Sequence, residues 1–170
     1  MQGLLPVRNM TTWGIIGITA LSFVAMEGVA WATHRYVMHG FLWVLHKDHH
    51  GNGRIGAFER NDLFFLIFAA PSVLLFVLGH QHGPDAPWTW IALGILLYGI
   101  AYFLVHEVFI HQRIKWLRNS RSTYFLALRR AHKVHHKHLE KDQGECFGML
   151  LVPLKYFREA RAQVKNSPPH

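Results

Sequence analysis

The sequence predicts an all-α integral membrane protein, a helical bundle with about three spanning helices and a histidine-rich helical cap on the cytoplasmic side. Two features of composition support this fold class. The 170 residues are 51% hydrophobic and only 16% charged, and the apolar residues form three long runs. Most of the 14 histidines lie near the ends of those runs. A chain of this length has room for one domain, residues 1–170.

The three apolar runs match what a bilayer requires. A spanning helix needs about 20 mostly apolar residues. Residues 13–33 carry one charge, Glu27, and residues 88–105 carry none. Residues 63–79 also carry none, but they are few for a full span, so flanking Phe and His residues must extend them. No basic cluster leads the first run and no small-residue cleavage site follows it, which favours a retained helix over a secretory signal.

Short helices and turns are predicted for the first connecting segments. The first helix can be capped by Thr11 or Thr12, and it is expected to run to His39, where a glycine follows. A short helix is predicted over residues 41–50. Residues 79–87 are rich in Gly and Pro, which predicts a tight turn. The second and third spanning helices would then form a hairpin.

The last third of the chain is predicted to lie outside the bilayer. The third helix is expected to continue to His111, and a further helix is predicted from about residue 122 through His138. Residues 147–157 are apolar but interrupted by a proline, which predicts an interfacial element rather than a span. The polar tail after Arg158 is expected to fray.

The distribution of charge predicts the orientation in the membrane. One of the 18 Lys and Arg residues precedes the first run, and none lies between the second and third runs. Three spans place all the others on one side, which the positive-inside rule makes cytoplasmic. The net charge of +8 is therefore read as a topology signal, and no nucleic-acid partner is expected. The single cysteine, Cys146, excludes a disulfide framework within the chain and Cys-based zinc fingers.

The histidines are grouped in four boxes, and the first half of the chain echoes the second. Each half has a His-x4-His pair just after a spanning helix and a His-x2-His-His triplet further on. On a helix, positions i, i+3 and i+4 share one face, so each triplet is predicted to point one way. The boxes are His34 and His39; His46, His49 and His50; His106 and His111; His132, His135 and His136.

These boxes predict a site for two metal ions. The members of a His-x4-His pair sit about 140° apart on a regular α-helix, so either the helix distorts or each histidine serves a different ion. Neutral imidazole suits iron, zinc and copper. About ten nitrogens exceed the four ligands of a structural zinc and would suit two ions with positions left open. His80, His82 and His170 are expected to be interfacial, and His138 is left undecided.

With their neighbours, the boxes resemble the fatty acid hydroxylase superfamily of membrane histidine-box enzymes, and within it the bacterial β-carotene hydroxylase family. The resemblance includes Glu27 and covers residues 30–40, 46–50, 59–63, 106–113 and 131–136. It implies oxygen-dependent hydroxylation of the β-ionone ring at carbon 3, converting β-carotene through β-cryptoxanthin to zeaxanthin. It also implies a non-haem centre of two iron ions that uses O2, in a bacterial inner membrane.

Several polar residues near the boxes are candidates to orient the imidazoles by hydrogen bonds. The alternative for each is a solvated or headgroup-facing side chain. Glu27 is a separate case, because an ionisable group inside an apolar run is a functional candidate by default. It is expected to bond to a box histidine or to be merely interfacial. The other candidates are Asp48, Glu59, Asn61, Asp62, Glu107 and Asp142.

The chain must obtain electrons and substrate from outside. It has no Gly-rich dinucleotide fingerprint and no haem-attachment motif, so a ferredoxin-type reductant is expected. The carotenoid would enter from the bilayer lipids, past Tyr98, Tyr102 and Phe103, although such residues more often face lipid or other helices. A basic face could steer an acidic donor, although positive-inside topology explains the same residues. That face comprises Arg113, Lys115, Arg118, Arg121, Arg129 and Arg130.

Two alternatives remain open to different degrees. The same histidine-box chemistry would serve a hydroxylase or desaturase of another lipid, either a fatty acyl chain or a sterol. A membrane metal carrier or sensor is disfavoured, because transport predicts ionisable residues through the spans and only Glu27 lies there. Nitrogen ligands accept zinc as well as iron, so the sequence does not choose between them. It also leaves the oligomeric state open.

Overall fold

The computed structural model describes residues 10–51, 58–83, 85–116, 119–138, 140–141 and 144–166. Every regular element within these ranges is helical, which confirms the predicted fold class. The helices are α1 (Thr12–Ala32), α2 (Trp43–His46), α3 (Leu63–His82), α4 (Pro87–Phe103), α5 (Thr123–His135) and α6 (Leu154–Asn166). A first π-helix (Thr33–Phe41) continues α1, a second π-helix (Leu104–Ile110) continues α4, and a 3-10 turn (Arg60–Asp62) precedes α3.

Three helices are long and apolar enough to cross a membrane: Thr12–Phe41, Arg60–His82 and Pro87–Ile110. The protein is therefore a membrane protein with three predicted spans. The Thr11 hydroxyl caps α1 by accepting from the Gly14 amide at 3.2 Å, as the sequence predicted. Large apolar side chains on the three helices, such as Leu21, Leu66 and Val73, are exposed to the surroundings, which suits a lipid-facing surface.

Helix α4 packs between α1 and α3, and small residues allow the close approach. A Cβ added at Gly94 would lie 2.5 Å from the Thr19 carbonyl oxygen of α1. A Cβ added at Gly79 would collide with Thr89 of α4. Spanning helices commonly use small residues in this way, because lipid provides no hydrophobic drive for helix association.

The predicted turn over residues 79–87 is wrong at its start. Helix α3 continues through Gly79 to His82, and the chain turns at Gly83, whose φ of 92° favours glycine. Gly79 lies inside the helix, where the absence of a side chain allows Thr89 of α4 to approach closely. This extension gives the second span the length that the apolar run alone lacked.

Two predicted cap helices are shorter than expected. Helix α2 ends at His46 rather than His50, and α5 ends at His135 rather than His138. In both places hydrogen bonds from residue i to i+3 tighten the chain into turns, for example from the His49 amide to the His46 carbonyl.

The prediction for the C-terminal tail needs a correction. Residues 144–153 form no regular element, and the tail predicted to fray is helical in α6 as far as Asn166. Helix α6 is stabilised by packing against α5, where Ala127, Ala131, Tyr156 and Ala160 form a buried cluster. Most residues of α6 are polar, which is why the sequence predicted fraying. The apolar face of the helix is short and rests on Tyr156 and Ala160, which are four positions apart.

Candidate metal centre

All ten box histidines come together at one end of the spanning helices, in two neighbouring groups. In each of the two groups below, the members offer ring nitrogens that lie within 4.8 Å of one another. Cluster one consists of His34, His39, His46, His50 and His135. Cluster two consists of His49, His111, His132 and His136. His106 adjoins cluster two, since its Nε2 atom lies 3.2 Å from Nε2 of His49.

The His-x4-His pairs resolve one of the sequence alternatives, because each lies in a π-helix. Hydrogen bonds in a π-helix join residues i and i+5, so these two positions fall on the same face. The His111 amide donates to the His106 carbonyl at 2.9 Å in this way. The helix distorts as one option required, and His34 and His39 share cluster one. The π-helix replaces regular α-helical hydrogen bonds beside the histidines. Short π-helical segments of this kind are often found at functional sites.

The triplets behave differently from the prediction that each would face one way. His46 and His50 belong to cluster one, whereas His49 lies in cluster two. His135 belongs to cluster one, whereas His132 and His136 lie in cluster two. In both triplets the middle histidine, at i+3, is the one set apart, because positions i+3 and i+4 lie about 100° apart around a helix. His132 and His135 are divided in this way although both lie within α5. Each triplet therefore bridges the two groups, which joins them into one centre.

The inward-facing nitrogens are spaced as metal ligands are. Nε2 of His46 lies 3.2 Å from Nε2 of His34 and 3.1 Å from Nε2 of His50, and the His111 and His132 Nε2 atoms are 2.9 Å apart. At metal–nitrogen distances of 2.0–2.1 Å, adjacent ligands are about 2.9 Å apart at right angles and about 3.4 Å apart in a tetrahedron. Nε2 of His136 is also buried, and no described residue provides it with a hydrogen-bond partner. The donor set therefore fits a pair of metal ions.

Burial keeps these imidazoles in the neutral form that binds metals. It lowers the pKa of His46 and of His136 to about 2, that of His135 to about 3 and that of His50 to about 4. Burial, strengthened by the neighbouring histidines, also holds the pKa of His132 well below its usual range. Neutral imidazole keeps a free lone pair for a metal ion.

In cluster one, each histidine donates its Nδ1 proton to a neutral oxygen. A carbonyl or amide oxygen only accepts, so Nδ1 carries the hydrogen and Nε2 presents its lone pair to the cluster. The acceptors are the carbonyls of Phe147 for His34 (3.0 Å), Lys141 for His39 (3.1 Å), His138 for His50 (3.0 Å) and Glu145 for His135 (2.9 Å), and Asn61 Oδ1 for His46 (2.7 Å). A sequence does not show which backbone carbonyls will accept a hydrogen bond. Of these five acceptors, the sequence analysis therefore identified only Asn61.

In cluster two, carboxylates take the same position. Glu59 accepts from Nδ1 of His49 at 2.9 Å, and Glu107 accepts from Nδ1 of His106 at 2.6 Å. Arg113 joins the two carboxylates, with Nε 2.6 Å from Glu107 and one terminal nitrogen 3.6 Å from Glu59. A carboxylate partner makes an imidazole a stronger donor to a metal.

The remaining candidates act at a distance from the imidazoles. Asp62 pairs with Arg113 at 2.8 Å and accepts from the Glu59 amide, so it supports the carboxylates of cluster two. Asp48 accepts from the Arg60 amide at 3.0 Å, which fixes the chain between α2 and α3. Asp142 lies outside the described residues.

Glu27 does not have the predicted histidine partner. Its carboxylate is buried and accepts from the Tyr98 hydroxyl at 2.7 Å and from backbone amides of residues 149–151 at 2.9–3.1 Å. Only 9% of the residue is exposed, so the carboxylate faces the protein interior and not the surroundings. Tyr98 is likewise buried and bonded, so it does not line a route from the lipid.

The basic face predicted for an electron donor is largely occupied within the chain. Arg113 binds carboxylates, Arg129 stacks 4.1 Å from the Phe109 ring centre, and Arg130 pairs with Glu159. Arg118 lies outside the described residues. Nearby, Lys133 lines an open cleft of ≈ 430 Å³ between α5 and α6, and this cleft also contains Lys137, Lys155 and Glu145.

Comparison with known proteins places this chain in a family. The family model described as fatty acid hydroxylase matches residues 19–155, a range that contains all ten histidines. The chain belongs to the fatty acid hydroxylase family. Membership accounts for a histidine-rich centre at the end of apolar helices, and it bears out the resemblance that the boxes indicated.

Within the fatty acid hydroxylase family, this member is similar to bacterial proteins over most of its length. It is 41% identical over 133 residues to the beta-carotene hydroxylase of Pseudescherichia vulneris, covering 78% of this chain and 74% of the relative. It is 40% identical over 136 residues to that of Pantoea ananas, covering 80% and 76%. It is 39% identical over 145 residues to that of Paracoccus sp. (strain PC1), covering 85% and 86%. No solved structure gives a significant match.

Proposed function

We propose that the protein hydroxylates carbon 3 of β-ionone rings, converting β-carotene through β-cryptoxanthin to zeaxanthin. The observation that carries the proposal is the pair of histidine clusters at the end of the spans, in a chain 39–41% identical to bacterial beta-carotene hydroxylases. Two iron ions held by the ten histidines would supply the O2 activation that an unactivated ring C–H bond requires.

The residues of the chain prepare the site for that chemistry. Buried neutral imidazoles present Nε2 lone pairs, and the carbonyls, Asn61 and the carboxylates behind them fix the ring orientations. Two six-coordinate ions have about twelve positions in all, so the ten nitrogens would leave about two of them for O2 or water. Zinc would fit the same nitrogens in a purified sample.

The reaction balance requires an external reductant. One oxygen atom of O2 enters the ring as a hydroxyl group, and the other leaves as water after taking up two electrons and two protons. We propose an acidic ferredoxin-type protein as the donor, bound at the cleft between α5 and α6. Lys133 and Lys137 line this cleft, and so does Glu145, whose carbonyl accepts from His135 of cluster one.

The substrate and the location follow from the position of the clusters. A carotene dissolves in the bilayer, so its ring would reach the site laterally at the span ends. Phe103 is partly exposed to lipid, and Tyr102 lies 5.2 Å from the His106 ring, so both remain candidates for this route. The excess of basic residues on the histidine side supports an inner-membrane protein with its clusters facing the cytoplasm.

Expression in a bacterial host that makes β-carotene and has a functional electron donor tests the proposal. We expect β-cryptoxanthin and zeaxanthin to accumulate, as measured by chromatography of the pigments. His49→Ala and His135→Ala remove one ligand from each cluster and should abolish both products. Unchanged pigments with the wild-type protein would remove the carotenoid assignment, and a fully active histidine variant would remove the catalytic role of the clusters.

A further inference from the structure

Glu27 is a buried carboxylate that the proposed chemistry does not use directly. It lies in the first span, and all of its described bonds are made outside both histidine clusters. An ionisable side chain at such a depth is costly unless its partners compensate. Its partners therefore indicate what it does.

The partners of Glu27 form an anion-binding nest. Three successive amides, of Met149, Leu150 and Leu151, converge on the two carboxylate oxygens at 2.9–3.1 Å, and the Tyr98 hydroxyl adds a fourth donor. Both oxygens only accept, which is the pattern of an ionised carboxylate. Successive backbone N–H groups of this kind bind anions well, and charge-assisted bonds are the strong ones.

The segment that carries the nest also holds cluster one. The carbonyls of Glu145 and Phe147 lie a few residues before the nest and accept from His135 and His34. Only Gly148 separates Phe147 from the first nest amide. A Cβ at Gly148 would lie 3.0 Å from Glu27 Oε1 and 2.8 Å from the Leu151 carbonyl oxygen, so the segment is packed directly onto the carboxylate.

The backbone between the two carbonyls is strained. Cys146 has a φ of 63°, in the left-handed region that non-glycine residues seldom adopt. Such a conformation persists only where the surroundings determine it. Residues 144–153 have no regular element of their own, so the anchor at Glu27 is a principal contact holding this conformation.

We propose that Glu27 is a positioning residue for cluster one. Its carboxylate clamps the segment of residues 145–151 to α1 and thereby aims the Glu145 and Phe147 carbonyls at His135 and His34. The proposal rests on the proposed metal centre. It assigns to Glu27 a role in the affinity of one ion of the pair, with no role in the other.

A double-mutant cycle on metal retention tests the proposal. Purified full-length protein is titrated with a chelator, and the metal remaining per chain is measured. Glu27→Gln keeps the side-chain shape but replaces one acceptor with a donor that faces the amides. We expect the affinity for one ion to fall about 10- to 100-fold. Combined with His135→Ala, it should cause no further loss, whereas combined with His132→Ala it should deplete the remaining ion.

Two further variants separate positioning from general damage. Glu27→Asp keeps the charge and should recover part of the metal affinity, and Tyr98→Phe removes one hydrogen bond and should weaken one ion only mildly. Hydrogen exchange of amides 149–151 should accelerate in Glu27→Gln. Additive losses with His135→Ala, or faster exchange with wild-type metal affinity, would overturn the proposal. A wild-type protein that fails to retain two ions would instead overturn the metal centre itself.

Discussion

At the scale of single residues, the two clusters differ in what stands behind their imidazoles. Neutral oxygens accept from all five histidines of cluster one, whereas Glu59 and Glu107 accept from His49 and His106 on the other side. The negative charge strengthens these two imidazoles as donors. The two histidine clusters therefore differ electronically, and they would offer the proposed ions nitrogen donors of different strength.

Asn61 gives a prediction for cluster one, whose hydrogen-bond acceptors are all neutral oxygens. Its Oδ1 atom accepts from Nδ1 of His46 at 2.7 Å in a buried setting. Asn61→Leu removes the acceptor and frees the ring to rotate, so we expect one ion to bind about 10- to 100-fold more weakly. Asn61→Asp keeps an oxygen in place and should retain most of the affinity. Chelator titration measures both, and wild-type affinity in the Leu variant would contradict the orienting role.

Arg113 gives a prediction for the carboxylates beside cluster two. It holds Glu107 and Asp62 at 2.6 and 2.8 Å and is only partly exposed. Arg113→Met leaves the carboxylates facing one another, so we expect the free energy of unfolding to fall by about 1–3 kcal/mol. Arg113→Lys lacks the planar fork and should give an intermediate value. Thermal unfolding in detergent checks both variants. A Met variant as stable as the wild type would show that Arg113 does not stabilise the protein through these carboxylates.

The sequence predicted that ten histidines would come together, because histidine spacing is visible in the residue types, and the structure brings all ten to one end of the spans. It also proposed Asn61, Glu59 and Glu107 as orienting residues, and the structure places each beside an imidazole. Arg113 was expected on a surface face, since nothing in the sequence shows which arginine meets a carboxylate. The accepting carbonyls were missed because every residue has one; they belong to His138, Lys141, Glu145 and Phe147.

At the scale of elements, the two π-helices position the pairs, and the angular spacing of i+3 and i+4 divides the triplets between the two clusters. The spacing of five residues showed that a regular helix would fail, and a π-helix is the local solution. The division of the triplets was missed because positions i, i+3 and i+4 were treated as one face, whereas i+3 and i+4 point about 100° apart. The stability of α6 was also hidden, since it depends on packing against α5.

Packing of α6 gives a prediction with a matched control. Ala160 is fully buried against α5, whereas Ala162 on the same helix is exposed. Ala160→Arg forces α6 away from the helix that carries His132 and His135, so we expect lower thermal stability and fewer ions retained. Ala162→Arg should behave as the wild type in both measurements. Equal behaviour of the two variants would show that α6 does not support the site.

At the scale of the whole molecule, three spanning helices bring four separated boxes to one end. Helix α1 ends there, α3 begins there and α4 ends there, so the hairpin of α3 and α4 returns the second half of the chain to the first. The sequence predicted this convergence from the alternation of apolar runs and histidines. It could not predict that residues 144–151 pack beside cluster one, because that contact depends on Glu27 and on backbone groups.

Metal content per chain tests the central claim most directly. Protein purified after expression in iron-supplied cells should contain two iron ions per chain. His135→Ala and His132→Ala each break a different cluster and should each retain about one ion, and neither should form zeaxanthin. A wild-type protein with a single ion, or a cluster variant that keeps both ions, would contradict a centre built from two histidine clusters.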